Sequence, residues 1–107
     1  ALHRGSRGAA GEAAFLLIPG AVFDAESRTD GALARIVGSP ALRARAAEAG
    51  LEAATAPEAL RALLDDPTAA PAVAELCHHY ACAIVSVIAV IDPACIVLAG
   101  KLARLGR

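Results

Sequence analysis

The chain has no methionine and no tryptophan, and its aromatic residues are Phe15, Phe23 and Tyr80. A core cannot be built around large rings, so the abundant Ala, Leu and Val predict helices packed closely through small side chains. The missing methionine leads us to expect that the natural N-terminus lies upstream of Ala1. Lys101 is the only lysine, and the formal net charge is -1. No cationic surplus is available to hold a phosphate backbone or an anionic membrane, so DNA binding by these residues alone is not expected. The cysteines are odd in number (Cys77, Cys82, Cys95) and lie in apolar surroundings. They do not form a disulfide framework; buried thiols in a reducing compartment, the cytoplasm, are expected. The longest apolar run, Ala81 to Ile91, falls short of the ~20 residues of a membrane span and stops at Asp92-Pro93. A length of 107 residues excludes a two-lobed enzyme and predicts a single, incomplete domain over 1–107.

Glycine punctuates the start, at Gly5, Gly8, Gly11 and Gly20, around the apolar stretch Ala13 to Ile18. This pattern predicts a shaped loop followed by a short strand. Val22 to Thr29 is mixed and polar, and a short helix over Gly31 to Val37 is broken by Gly38. Ser39-Pro40 offers a capping hydroxyl before a proline at the first helical position, and Gly50 closes that helix. Thr55-Ala56-Pro57-Glu58 has the spacing of a capping box, leading a helix to about Leu64 with Leu60, Leu63 and Leu64 on one face. Asp65-Asp66-Pro67-Thr68 is a break. The longest helix is expected from about Ala69 to Ile91, its apolar residues recurring at three and four. Past Tyr80 its opposite face also turns apolar, through Ala81, Val85 and Ala89, which predicts a central helix covered on all sides. Cys95-Ile96-Val97-Leu98 then suits a buried strand of a parallel sheet ending at Gly100, and the whole reads as α/β. Ligands of open sheets bind off the carboxyl ends of strands, so Gly100 marks a candidate crevice.

Few residues could carry chemistry. Arg4-Gly5-Ser6-Arg7-Gly8-Ala9-Ala10-Gly11-Glu12 gathers exposed amides, guanidinium groups and a carboxylate in one loop, which suits a hydroxyl-rich ligand such as a sugar. On spacing alone the simpler reading is a solvated loop in which Glu12 pairs with Arg4 or Arg7. The loop lacks the Gly-Lys-Ser/Thr ending of a phosphate-cradling P-loop. His78 and Cys82 have the i, i+4 spacing of paired metal ligands, beside His79 and Cys77, but there is no second ligand pair elsewhere. Core thiols beside half-exposed imidazoles are expected there, without a metal. Asp65, Asp66 and Asp92 each sit at a helix break, where Asp caps or turns. With no Gly-x-Ser-x-Gly elbow and no cysteine–histidine pair with an orienting partner, catalysis by these residues alone is not expected, and no cofactor is.

Two stretches carry a family resemblance. His3 to Glu12, with its Gly-Ala-Ala-Gly-Glu string, and Ile91 to Gly100, an Asp-Pro turn into an apolar run ending in glycine, resemble the ROK family of repressors, open reading frames and sugar kinases. Gly31 to Leu42 and Asp65 to Ala70 fall where that family has comparable segments. The resemblance implies the helix-rich C-terminal part of an actin-like, ribonuclease-H-like sugar-kinase domain. It implies a sugar site in which Gly8, Gly11 and Glu12 take part, Glu12 standing at the glutamate of the family's Glu-x-Gly-His motif with Ala14 and Phe15 at its Gly and His. Gly31 matches the glycine of the family's Gly-Cys-x-Glu zinc segment, but Ala32 and Ala34 stand at its cysteine and its glutamate, so zinc is not expected. Of the glycine pair near the nucleotide only Gly100 carries over, between Ala99 and Lys101. These departures favour a sugar-responsive transcription regulator, homo-oligomeric, with DNA reached only through a helix-turn-helix outside the chain. An ATP-dependent sugar kinase of the same family and a ligand-free interaction module are the alternatives.

Overall fold

The computed structural model describes residues 3–104. Among them, all regular structure is helical: α1 Ala25–Asp30, α2 Ala32–Val37, α3 Ser39–Glu48, α4 Ala56–Asp65 and α5 Ala70–Ile91, with 3-10 turns at Ala13–Phe15, Pro67–Ala69 and Leu102–Arg104.

Local chemistry sets most boundaries. Thr55 and Glu58 form the expected capping box: the Thr55 hydroxyl accepts from the Glu58 amide at 3.4 Å, and the Glu58 carboxylate accepts from the Thr55 amide at 3.3 Å. Gly50, at φ 74°, closes α3 in a Schellman arrangement. Its amide reaches the Ala47 carbonyl at 2.9 Å and the Leu51 amide reaches the Ala46 carbonyl at 2.8 Å. At the expected break the Asp66 carboxylate accepts from the Thr68 amide and hydroxyl at 2.8 and 2.7 Å, starting the turn that feeds α5.

Other expectations are corrected. Val22 to Thr29 holds all but the last residue of α1, because Asp24 caps that helix by accepting from the Ser27 amide at 2.8 Å. The cap of α3 is Gly38, with Ser39 already helical, since a Cβ at Gly38 would lie 2.3 Å from the Ala34 carbonyl oxygen. Leu64 is exposed, and the buried face of α4 is Ala56, Ala59 and Leu63. Ala13–Phe15 is a 3-10 turn and not a strand, its amides bonded to nearby carbonyls: Ala13 to Gly11, Phe15 to Glu12. Cys95 to Leu98 has no regular structure, and Val97 is 81% exposed. A strand is a pairing, and no described segment runs beside this one to supply the ladder. An α/β sheet is therefore absent among the described residues.

The core lies where α3 packs on α4 and α5 closes over α2 and α4. Leu42 and Leu63 are its largest fully buried side chains, with Ala46 and Ala59 beside them. The methyl groups let the helix axes approach closely, as the aromatic-poor composition predicts. The last carbonyls of α2 have no partner in their own helix. Arg45 of α3 donates to Ile36 at 2.6 Å and the Tyr80 hydroxyl of α5 donates to Val37 at 3.1 Å. Burial pushes the Tyr80 hydroxyl above its ordinary pKa.

The second half of α5 is not covered as expected: Val85, Ile88, Val90 and Ile91 are exposed. No described element packs over them except the 93–98 run, which lies against Ile84 and Ile88. The stretch Pro67–Ile91 is long and apolar enough to cross a membrane, among the described residues the one that is, although only Ala81 to Ile91 stood out in the sequence. Its first half nevertheless carries Glu75, His78 and His79, and it seals the core through Leu76, His79 and Ala83.

Candidate functional site

The glycine loop is closed by its own backbone, Ala10 donating to the Arg4 carbonyl at 3.1 Å and Gly8 to Gly5 at 3.4 Å. Gly8 and Gly11 hold φ of 73° and 89°, and a Cβ at either would meet nothing within 4 Å. Their backbone is thus open to an approaching ligand, in a conformation that favours glycine. Glu12 begins the Ala13–Phe15 turn, is exposed, and does not spend its carboxylate on a cap bond. Nor does it pair with Arg4 or Arg7: the ion pairs among the described residues are those of Arg35 with Asp24 and Glu26. An exposed carboxylate beside approachable amides can accept from paired hydroxyls.

Behind the loop the chain makes one very close approach. Gly31 is buried at φ 90°, and a Cβ there would lie 2.4 Å from the Ala14 carbonyl oxygen. This contact fastens the Ala13–Phe15 turn to the start of α2 and brings together the Glu12 segment and the Gly31 segment, which the sequence left apart. Ala32 is 3% exposed and belongs to the core, whereas Ala34 lines an open groove with Asp30, Arg35, Ser39 and Pro40.

Gly100 is not brought to this place. It sits exposed in a bend at φ 105°, with nothing within 4 Å of a Cβ. The run before it does come near, since Ile96 shares an apolar cleft with Ala13, Leu16, Ala83, Ile84 and Val87.

A polar cluster beside the site escaped the sequence reading. Arg35 of α2 donates to the Asp24 carboxylate at 2.7 Å and to the Ser27 hydroxyl at 2.8 Å, and reaches Glu26 at 2.8 Å. Ser27, buried, donates in turn to the Val22 carbonyl. The Ser27 amide and then the Arg35 guanidinium hold the Asp24 carboxyl below its ordinary value of 3.8. The cluster clamps α1 to α2 and so fixes the Gly31 corner. Asp24-x-x-Ser27 was readable as a capping pattern; the arrival of Arg35 was not, because it depends on how α1 and α2 pack.

On α5 the two imidazoles differ: His78 is exposed, while His79 is 7% exposed with its Nδ1 buried and unpartnered. No group of three or more His, Cys, Asp or Glu converges among the described residues. Cys77, Cys82 and Cys95 are free, and Cys77 and Cys95 are exposed where burial was expected.

The ROK family profile matches residues 1–107. The chain belongs to the ROK family. Comparison with curated proteins and with solved structures gave no match. ROK proteins include both regulators and sugar kinases on an actin-like sugar-kinase fold, to which this chain contributes the helical packing described above.

Proposed function

We propose that this chain is the effector-sensing part of a ROK-family transcription regulator, with a sugar held at Glu12 and the open backbone of Gly8 and Gly11. The carrying observation is the contact of Ala14 on Gly31. Near it in sequence, Phe15 and Ala34 offer a ring and a methyl group at the positions where the resemblance puts the family's sugar-contacting histidine and glutamate. Phosphoryl transfer requires the attacking hydroxyl to be held within about 3–3.5 Å of the phosphorus and in line with it. Fewer polar contacts weaken that alignment more than they weaken detection of a ligand, which needs only a difference in affinity between two states.

DNA recognition falls to a reader outside these residues, whose own net charge of -1 gives no attraction to phosphate. The nucleotide role of Gly100 has less support than the sugar role of Glu12, because Gly100 stands apart from the loop. The exposed apolar residues of α5 favour a homo-oligomer, and the free thiols favour the cytoplasm.

The test is calorimetric titration of the full-length protein with a panel of hexoses, alongside an assay for ATP-dependent sugar phosphorylation. Sugar binding that is lost in Glu12→Gln, without turnover, is the expected result. Phosphorylated sugar would assign the protein to the kinases instead, and silence in both assays would leave an interaction module.

A further inference from the structure

Phe15 is one of three aromatic side chains in the chain, and it stands 48% exposed in the Ala13–Phe15 turn. It belongs neither to the buried cluster nor to the half-buried side chains packed against that cluster. Among the described residues its ring pairs with no other ring. A side chain of this size gains most from being covered, so a ring left in water beside a candidate site marks where a ligand can lie.

The turn sets what the ring stands next to. The Phe15 amide donates to the Glu12 carbonyl at 3.3 Å, and a turn closed in this way holds its first and last α-carbons within about 7 Å. The Glu12 amide donates to the Ala9 carbonyl at 3.3 Å, which ties the carboxylate-bearing residue back to the glycine loop. Three surfaces therefore share one short stretch: open backbone at Gly8 and Gly11, a Glu12 carboxylate outside the ion pairs of the described residues, and an apolar ring at Phe15. A pyranose has the matching halves. Its hydroxyls lie around the edge of the ring, and its axial C–H bonds project from the faces. Those partly positive hydrogens suit the negative face of an aromatic ring.

We propose, resting on the sugar reading above, that Phe15 is the platform on which a pyranose stacks and that it sets the ligand class: a closed six-membered sugar with an apolar C–H face. Glu12 accepts from a pair of edge hydroxyls, and any polyol offers such a pair. Only the closed ring also offers a rigid face to Phe15. An axial hydroxyl on the stacked face holds the two rings apart and loses the contact.

The full-length protein is titrated calorimetrically with glucose, galactose and mannose, each beside its open-chain alditol. At least one ring sugar should bind more tightly than its alditol. Phe15→Leu keeps an apolar side chain but removes the aromatic face; it should weaken the ring sugar about two- to tenfold and leave the alditol unchanged, while Phe15→Tyr restores the preference. Glu12→Gln should weaken both ligands. Saturation-transfer NMR on the wild-type protein should mark the C–H protons of one face of the bound sugar, a readout that stands even where a variant fails to fold by circular dichroism. A ring-over-alditol preference untouched by Phe15→Leu, or marking spread evenly over both faces, would overturn the stacking and leave the sugar site standing. Silence of every sugar toward the wild-type protein would overturn both.

Discussion

Replacing Gly31 by alanine tests how tightly the loop is fastened to the helices. The residue holds φ 90° and ψ 127°, a region almost reserved for glycine, and forcing an alanine into it costs about 1–3 kcal/mol. The added methyl would also lie 2.4 Å from the Ala14 carbonyl oxygen and 2.7 Å from its carbon. Both are backbone atoms and cannot rotate away, and relief of such overpacking costs about 1–3 kcal/mol more. The sum, about 2–6 kcal/mol, is a large share of the ~5–15 kcal/mol that holds a typical domain folded. Gly50→Ala is the control. Its φ of 74° is also positive, but its Cβ would meet nothing within 4 Å, so only a backbone cost of about 1–2 kcal/mol applies. Urea unfolding followed by far-ultraviolet circular dichroism compares them, there being no tryptophan to report by fluorescence. Equal midpoints for the two variants would refute the close approach of Ala14 to Gly31.

Leu63→Ala should cost about 2–5 kcal/mol by emptying the contact between α4 and the core, measured by the same unfolding; a loss under ~1 kcal/mol would mean that α4 is not seated as described. His79→Leu removes the buried unpartnered Nδ1 and should leave stability unchanged or raised, whereas a marked loss would reveal a partner for that nitrogen. Asp24 has its carboxyl pKa lowered on folding, so its contribution is complete above its ordinary value of 3.8 and is lost as pH falls through the depressed folded value. Asp24→Asn should therefore flatten the acid limb of a stability–pH profile, and an unchanged limb would argue against the Arg35 clamp.

What could be read in the sequence was local. Thr55 with Glu58, Gly50 after α3, and Asp66 before Pro67 act within one turn of chain, and each forms as its spacing implies. Cys95 to Leu98 has the composition of a buried strand, but a ladder needs neighbours, and composition cannot supply them. The periodic pattern of α5 predicted its helix well and its burial badly, because covering the Val85 side requires another surface. At the candidate site the glycines and Glu12 were visible as a loop. The Gly31 contact and the reach of Arg35 to Asp24 were not, since both arise only when α1, α2 and the Ala13–Phe15 turn are packed together.

The unpaired run from Ala94 to Gly100 has a consequence for handling the protein. It is apolar, carries no charge, is largely exposed, and makes no backbone hydrogen bond to another described residue. Such a segment is a template for edge-to-edge addition of identical segments, growing into aggregates at high concentration. Pro93 and Lys101 flank it as gatekeepers, and a charged residue at exposed Val97 would raise solubility without touching the core.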